Sequence, residues 1–231
     1  MTSKKMTAAL ICGMLGCLCF GGGDWLMMYG DASYDTLYLN WLTEGIAQIP
    51  LWRFTLAMAL AFPGIILYGI ALFAVQNYIA DEKHKKIYHY LNVFGLTPWL
   101  ALHLYYIMIL VLYSQLSLST DSAYGNGEIK ALCTMLFENT SWVIIVCEAF
   151  MLSVFVYWFY LQVTGRTSLP KAFAFTNVLL IFAVLKGVNM LMQDGAFSIA
   201  FRNGLMSESM IIWFGIMLVY ELKTKKGGCV I

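Results

Sequence analysis

A chain of 231 residues that is 61% hydrophobic, 12% charged and has a formal net charge of +1 does not read as a soluble domain, which carries roughly 25% charged residues. The near-neutral balance leaves no basic surface for nucleic acid. The six cysteines form no C-x-x-C pair, so neither a disulfide framework nor a metal knuckle is expected.

Apolar runs of about 18 residues or more are transmembrane candidates. The first is predicted over 6–29. Lys4 and Lys5 precede it as in a signal peptide, but no A-x-A-like cleavage site follows, so an uncleaved helix is expected. Gly13, Cys17 and Gly21 share one face, a small-residue stripe that lets another backbone approach closely. The run then breaks its own rule with Gly21-Gly22-Gly23-Asp24-Trp25. A carboxylate at membrane depth is costly, so Asp24 must be paired or functional.

Residues 33–49 are too polar to span. Tyr34, Leu37, Tyr38, Trp41 and Leu42 fall on one helical face, and Thr36, Asn40, Thr43 and Glu44 on the other. An amphipathic helix lying at the bilayer surface is the reading. A second span is predicted over 51–78, with Trp52 and Arg53 at its start and Pro63 inside it. The turn Asp81-Glu82-Lys83-His84-Lys85-Lys86 is plainly solvated. Further spans follow near 89–114 (Pro98, His103), 131–161, 171–192 and 205–222.

The expected fold is therefore all-α, a single polytopic membrane bundle of six transmembrane helices plus the interfacial helix. One set of helix ends carries Lys4, Lys5, Lys83, Lys85, Lys86, Arg166, Lys171, Lys223, Lys225 and Lys226. The other carries only Arg53, Lys130 and Arg202, with Lys186 inside a span. The positive-inside rule then puts both termini in the cytoplasm and the 33–49 helix outside.

With that orientation Asp24, Arg53, Glu138, Ser141, Lys186, Asn189 and Glu208 lie in the outer part of the bilayer, and His103 and Glu148 nearer its middle. Glu138, Ser141, Trp142, Ile145 and Glu148 form one helical stripe, and Lys186, Asn189, Met190 and Gln193 another. Both stripes are expected to face inward, because polar stripes facing lipid would be costly. These nine residues are the candidate ligand-binding set.

Three functions are compatible with them. The first is binding, or conversion, of a small amphipathic or lipid-like molecule in an outward-opening polar pocket. The second is a small proton-coupled carrier, with carboxylates and histidine as a relay. The third is a structural membrane partner whose charges are internal ion-pair glue. Catalytic residues are not assigned, because no G-x-S-x-G, H-E-x-x-H or G-x-G-x-x-G is present. No metal or cofactor is expected either. His84, His89 and His103 do not cluster, and a haem would lack a second histidine within the bilayer.

Gly23-Asp24-Trp25, Trp52-Arg53-Phe54, Gly165-Arg166-Thr167, and Asn203-Gly204 with Ser207-Glu208 and Trp213 together resemble an uncharacterised family of bacterial multi-helix integral membrane proteins. The resemblance implies the fold and a bacterial cell membrane as its setting. It implies no activity.

Overall fold

The computed structural model describes residues 2–30, 42–118 and 126–226. Helices run over Ser3–Met28 (α1), Glu44–Ala47 (α2), Leu51–Val75 (α3), Glu82–Leu118 (α4), Asn126–Val163 (α5), Val178–Met190 (α6) and Ala196–Lys226 (α7). Short 3-10 turns occupy Gln76–Tyr78 and Lys171–Thr176. Among the described residues the all-α expectation holds, with only an isolated antiparallel bridge between Ile79 and Thr167. Most of the predicted 33–49 helix lies outside the described residues.

Five segments, Ser3–Met28, Leu51–Tyr78, Glu82–Ser117, Gly127–Val163 and Ala196–Thr224, are long and apolar enough to cross a membrane. That is the architecture of a multi-pass membrane protein. Large apolar side chains such as Leu18, Phe62, Met108 and Val184 stand on its outside, which suits lipid and not water. The sixth predicted crossing differs. Its α-helix has 13 residues, about 20 Å at the α-helical rise, against a hydrocarbon core of roughly 30 Å. Asn177 is the cause. Its backbone is extended, its side-chain oxygen caps the Leu179 N–H at 2.9 Å, and its amide donates to the Phe155 carbonyl of α5 at 3.0 Å. The helix therefore starts inside the bundle, after a 3-10 turn, and not at Lys171.

The start of α1 and the last turns of α7 meet at one end of the bundle. Ser3 Oγ and Tyr78 Oη donate to the two oxygens of Glu221, at 2.8 and 2.6 Å. We call this the terminal end and the opposite one the distal end. At the terminal end Asp81 caps α4, its Oδ1 accepting from the Lys83 and His84 N–H groups at 2.8 and 3.1 Å. Those N–H groups, that of His84 foremost, hold the Asp81 carboxyl below the usual carboxylate range.

The core forms where α1 packs on α3 and α7, with α4 paired to α5. The contact between α1 and α3 depends on missing side chains. A Cβ at Gly16 would stand 2.6 Å from the Gly64 carbonyl, and one at Gly64 3.0 Å from the Gly16 carbonyl. The predicted stripe of Gly13, Cys17 and Gly21 is buried as expected. Gly13 faces Ala71 of α3 and Phe214 of α7, and Gly21 faces Ser207 of α7.

Backbone atoms cannot yield as a flexible side chain would. Gly16→Val should therefore lower stability by about 2–3 kcal/mol through overpacking. Gly187→Ala, which meets nothing within 4 Å, should be neutral or slightly stabilising. Thermal unfolding in detergent checks both, and equal midpoints for the two variants would contradict the seam.

Candidate functional site

The glycine seam carries the end of α1 to a polar centre in the distal half of the bundle. Trp25 Nε1 donates to Glu208 Oε1 of α7 at 3.0 Å. Gly204, one turn before Glu208, makes the slot: a Cβ there would lie 2.6 Å from Trp25 Nε1 and 3.0 Å from Glu208 Oε1. Asp24 Oδ1 lies 4.0 Å from His103 Nε2 of α4, with the two side chains 15% and 16% exposed. The Asp24 and Glu208 carboxylates are close enough to interact electrostatically. Glu208 Oε2 is buried and has no hydrogen-bond partner.

Aromatic rings enclose the centre. Phe20 lies against the His103 ring at 4.3 Å between centroids, and Trp99 at 6.4 Å. Trp25 meets Phe197 edge-on at 5.2 Å. Asp24, His103 and Glu208 are thus the members of the predicted set that the structure brings together.

Arg53 lies nearby but does another job. Its Nε donates to the Leu26 carbonyl and its Nη2 to the Tyr29 carbonyl, the latter at 2.7 Å. The last carbonyls of a helix lack intrahelical partners and form the negative end of its dipole. Arg53 caps α1 from the next long helix and makes no ion pair with Asp24.

The other candidates lie apart. Glu138 is exposed, and Ser141 Oγ donates at 2.9 Å to the Glu138 carbonyl of its own helix. Trp142 and Ile145 are 64% and 61% exposed, so the α5 stripe expected to face inward turns outward at its distal part. Glu148 is half-buried and interacts electrostatically with Tyr106 of α4. Lys186 is exposed on α6, whereas Asn189 Nδ2 donates to the Ser198 carbonyl of α7 at 2.8 Å. The reason is the shape of the bundle: the distal half of α5 pairs with α4, and the short α6 packs mainly on α7. Between the two stripes little contact is made.

A family model described as a family of unknown function (DUF6796) matches residues 1–224. The chain belongs to that family. No curated protein and no solved structure matches it.

Most of the placed residues that carried the family resemblance fall into two groups in space, and Trp213 is buried against Trp158. Trp25, Gly204 and Glu208 interlock, Ser207 abuts Gly21, and Arg53 caps the helix that bears Asp24. Gly165, Arg166 and Thr167 build a turn at the terminal end. Sequence reasoning quoted Trp25 and Gly204 without giving either a role. The available signal was the one-turn spacing of Gly204 and Glu208, which puts a gap beside a carboxylate on one face. Among the described residues no three His, Cys, Asp or Glu side chains are grouped to hold a metal ion. The centre offers carboxylate acceptors, an imidazole and aromatic faces, a set that receives hydrogen-bond donors or positive charge.

A methyl at residue 204 would occupy the place of the indole nitrogen. Gly204→Ala should displace Trp25 and leave a second Glu208 oxygen unpartnered, costing about 1–3 kcal/mol. The expected readout is a lower thermal midpoint with a shifted tryptophan emission. An unchanged midpoint and spectrum would contradict the slot.

Proposed function

We propose that this chain binds a small amphipathic molecule in the membrane, seating a donor-rich, amine-type head on Asp24 and Glu208 and its apolar part among Trp25, Phe20 and Phe197. In this reading the bundle sits in a bacterial cell membrane with both termini cytoplasmic, so the centre lies toward the outside. The observation that carries it is Glu208 Oε2, buried and unpartnered beside a second carboxylate. Among the described residues no lysine or arginine is within ion-pair distance of Asp24 or Glu208. A buried carboxylate oxygen left without a partner is costly, and a ligand N–H or ammonium group would relieve it. Aromatic faces add attraction for a cation. The remaining exposure of Asp24 and His103 leaves an edge by which a head group can reach them.

The glue reading has less support. Arg53 is committed to helix carbonyls, and Glu138 and Lys186 are exposed. The carrier reading has one observation in its favour, the Asp24 and His103 pair, in which two proton-exchanging groups face each other inside the bundle.

Native mass spectrometry of the purified chain separates these readings. An amine-type amphiphile should be retained by the wild type. The double variant Asp24→Asn, Glu208→Gln should retain it at least about tenfold less, since hydrogen bonds to charged groups are lost. Glu138→Gln should retain it. Equal retention by the double variant would sink the binding site. A carrier would instead show proton flux in liposomes that drops in His103→Gln.

A further inference from the structure

The terminal end holds a hydrogen-bonded chain separate from the Asp24 centre. Both ring nitrogens of His84 are engaged. Nδ1 lies 2.5 Å from Tyr157 Oη of α5, and Nε2 lies 2.7 Å from Arg166 Nη1. A guanidinium only donates. His84 Nε2 therefore presents its lone pair, and the neutral ring carries its proton on Nδ1, donating to Tyr157 Oη.

Arg166 is held there by the end of α5. Gly165 takes φ +69°, the Gly165 N–H bonds the Gln162 carbonyl at 3.0 Å, and the Arg166 N–H bonds the Leu161 carbonyl at 2.8 Å. This is a Schellman turn, which needs the left-handed residue that glycine supplies. The loop beyond is clipped to the α3–α4 junction. The Ala80 N–H donates to the Arg166 carbonyl at 3.1 Å, and the Ser168 N–H to the Tyr78 carbonyl at 2.8 Å.

Next to this chain in the helices lies a buried layer without charge. Tyr88 follows His84 by one turn of α4, and Trp158 follows Tyr157 in α5. Tyr88, Trp158 and Trp213 meet ring to ring, at 5.5 and 5.9 Å. Asn92 follows Tyr88 by one turn of α4, Gln162 follows Trp158 by one turn of the antiparallel α5 toward the terminal end, and all five side chains are at most 1% exposed. Both indole nitrogens and both amide atoms of Gln162 have no hydrogen-bond partner within the chain, whereas the Tyr88 and Asn92 side chains meet each other. The layer offers donors and acceptors together. An ion would need one kind only, whereas water uses both.

We propose that the Tyr157–His84–Arg166 chain is a proton-operated latch, and that protonation of His84 opens the terminal end and admits water to this layer. Protonation removes the lone pair that Arg166 donates to and sets an imidazolium N–H against a guanidinium. An attractive contact becomes a like-charge one. The groups facing His84 are Asp81 before α4, Tyr157 and Tyr160 on α5, and Arg166 on the loop. Asp81 interacts with His84 and Arg166 alike, so one exposed carboxylate would face two cations. Tyr160 lies under the guanidinium at 5.9 Å and keeps it close to the ring. On the far side, each unpartnered group of the layer favours the entry of water. Neutral His84 holds the latch shut, and the protonated ring releases it.

The test is hydrogen exchange at the Trp158 and Trp213 indole N–H groups, followed by nitrogen-15 NMR of the full chain in nanodiscs. Rates are taken relative to N-acetyltryptophanamide at the same pH. Protection should fall about tenfold between pH 7.5 and pH 5.5, the scale of one lost hydrogen bond to a charged group. His84→Gln, whose amide can accept from Arg166 and donate to Tyr157 but cannot titrate, should stay protected at both. Tyr157→Phe should exchange faster already at pH 7.5. Protection independent of pH in the wild type, or the same fall in His84→Gln, would overturn the latch. If His84→Gln does not fold, unchanged protection in Tyr157→Phe at pH 7.5 overturns it instead.

Discussion

The close approach of α1 to α3 is the constraint on which the rest of this structure depends. Gly16 and Gly64 set backbone against backbone, and small residues along the same helix let Phe214 and Ser207 of α7 come in beside them. Water supplies no hydrophobic drive between helices inside a bilayer, so close packing of this kind must hold them together. Once α1 is fixed between α3 and α7, its last turns are fixed too. Asp24 and Trp25 then have one place to go, between His103 of α4 and Glu208 of α7.

That placement explains how a carboxylate is tolerated inside the bundle. Asp24 is not neutralised by an arginine. It shares a partly enclosed, aromatic-walled centre with a histidine and a second carboxylate, one oxygen of which is held by an indole N–H. Arg53 stabilises the same region differently, by closing the carbonyl end of α1. A cation spent on helix carbonyls leaves two acidic side chains free to meet something else. This is the physical basis for reading the centre as a binding site.

The two ends of the bundle are built on different chemistry. The distal centre is acidic and aromatic. The terminal end is a lattice of backbone bridges, capping groups and the His84 chain, over an uncharged polar layer. The first suits recognition of a donor or a cation. The second is built around a single imidazole with both ring nitrogens engaged. Tyr78, Glu221 and Ser3 join the turn after α3, α7 and α1 in the same terminal lattice.

Much of this was legible in the residues. Run lengths located the long helices, the small-residue stripe on α1 was read correctly as a contact face, and Asp24, His103 and Glu208 were among the candidates. Over 171–192 the length rule expected one continuous α-helix where the structure has a 3-10 turn and a 13-residue helix, because it counts apolar residues and cannot see that Asn177, anchored to Phe155, starts the α-helix late. Periodicity correctly grouped Glu138, Trp142 and Ile145 on one face, but it cannot say which neighbour that face meets. The short α6 and the pairing of α5 with α4 turned that face outward. Charge balance likewise could not foresee that Arg53 would find carbonyls nearer than carboxylates. Composition and spacing thus determined the class of protein, the long helices and the small-residue face of α1, since these depend on local geometry and on transfer from water to lipid. Only the tertiary structure decided which polar groups share a site, because that depends on how helices distant in sequence are rotated against one another.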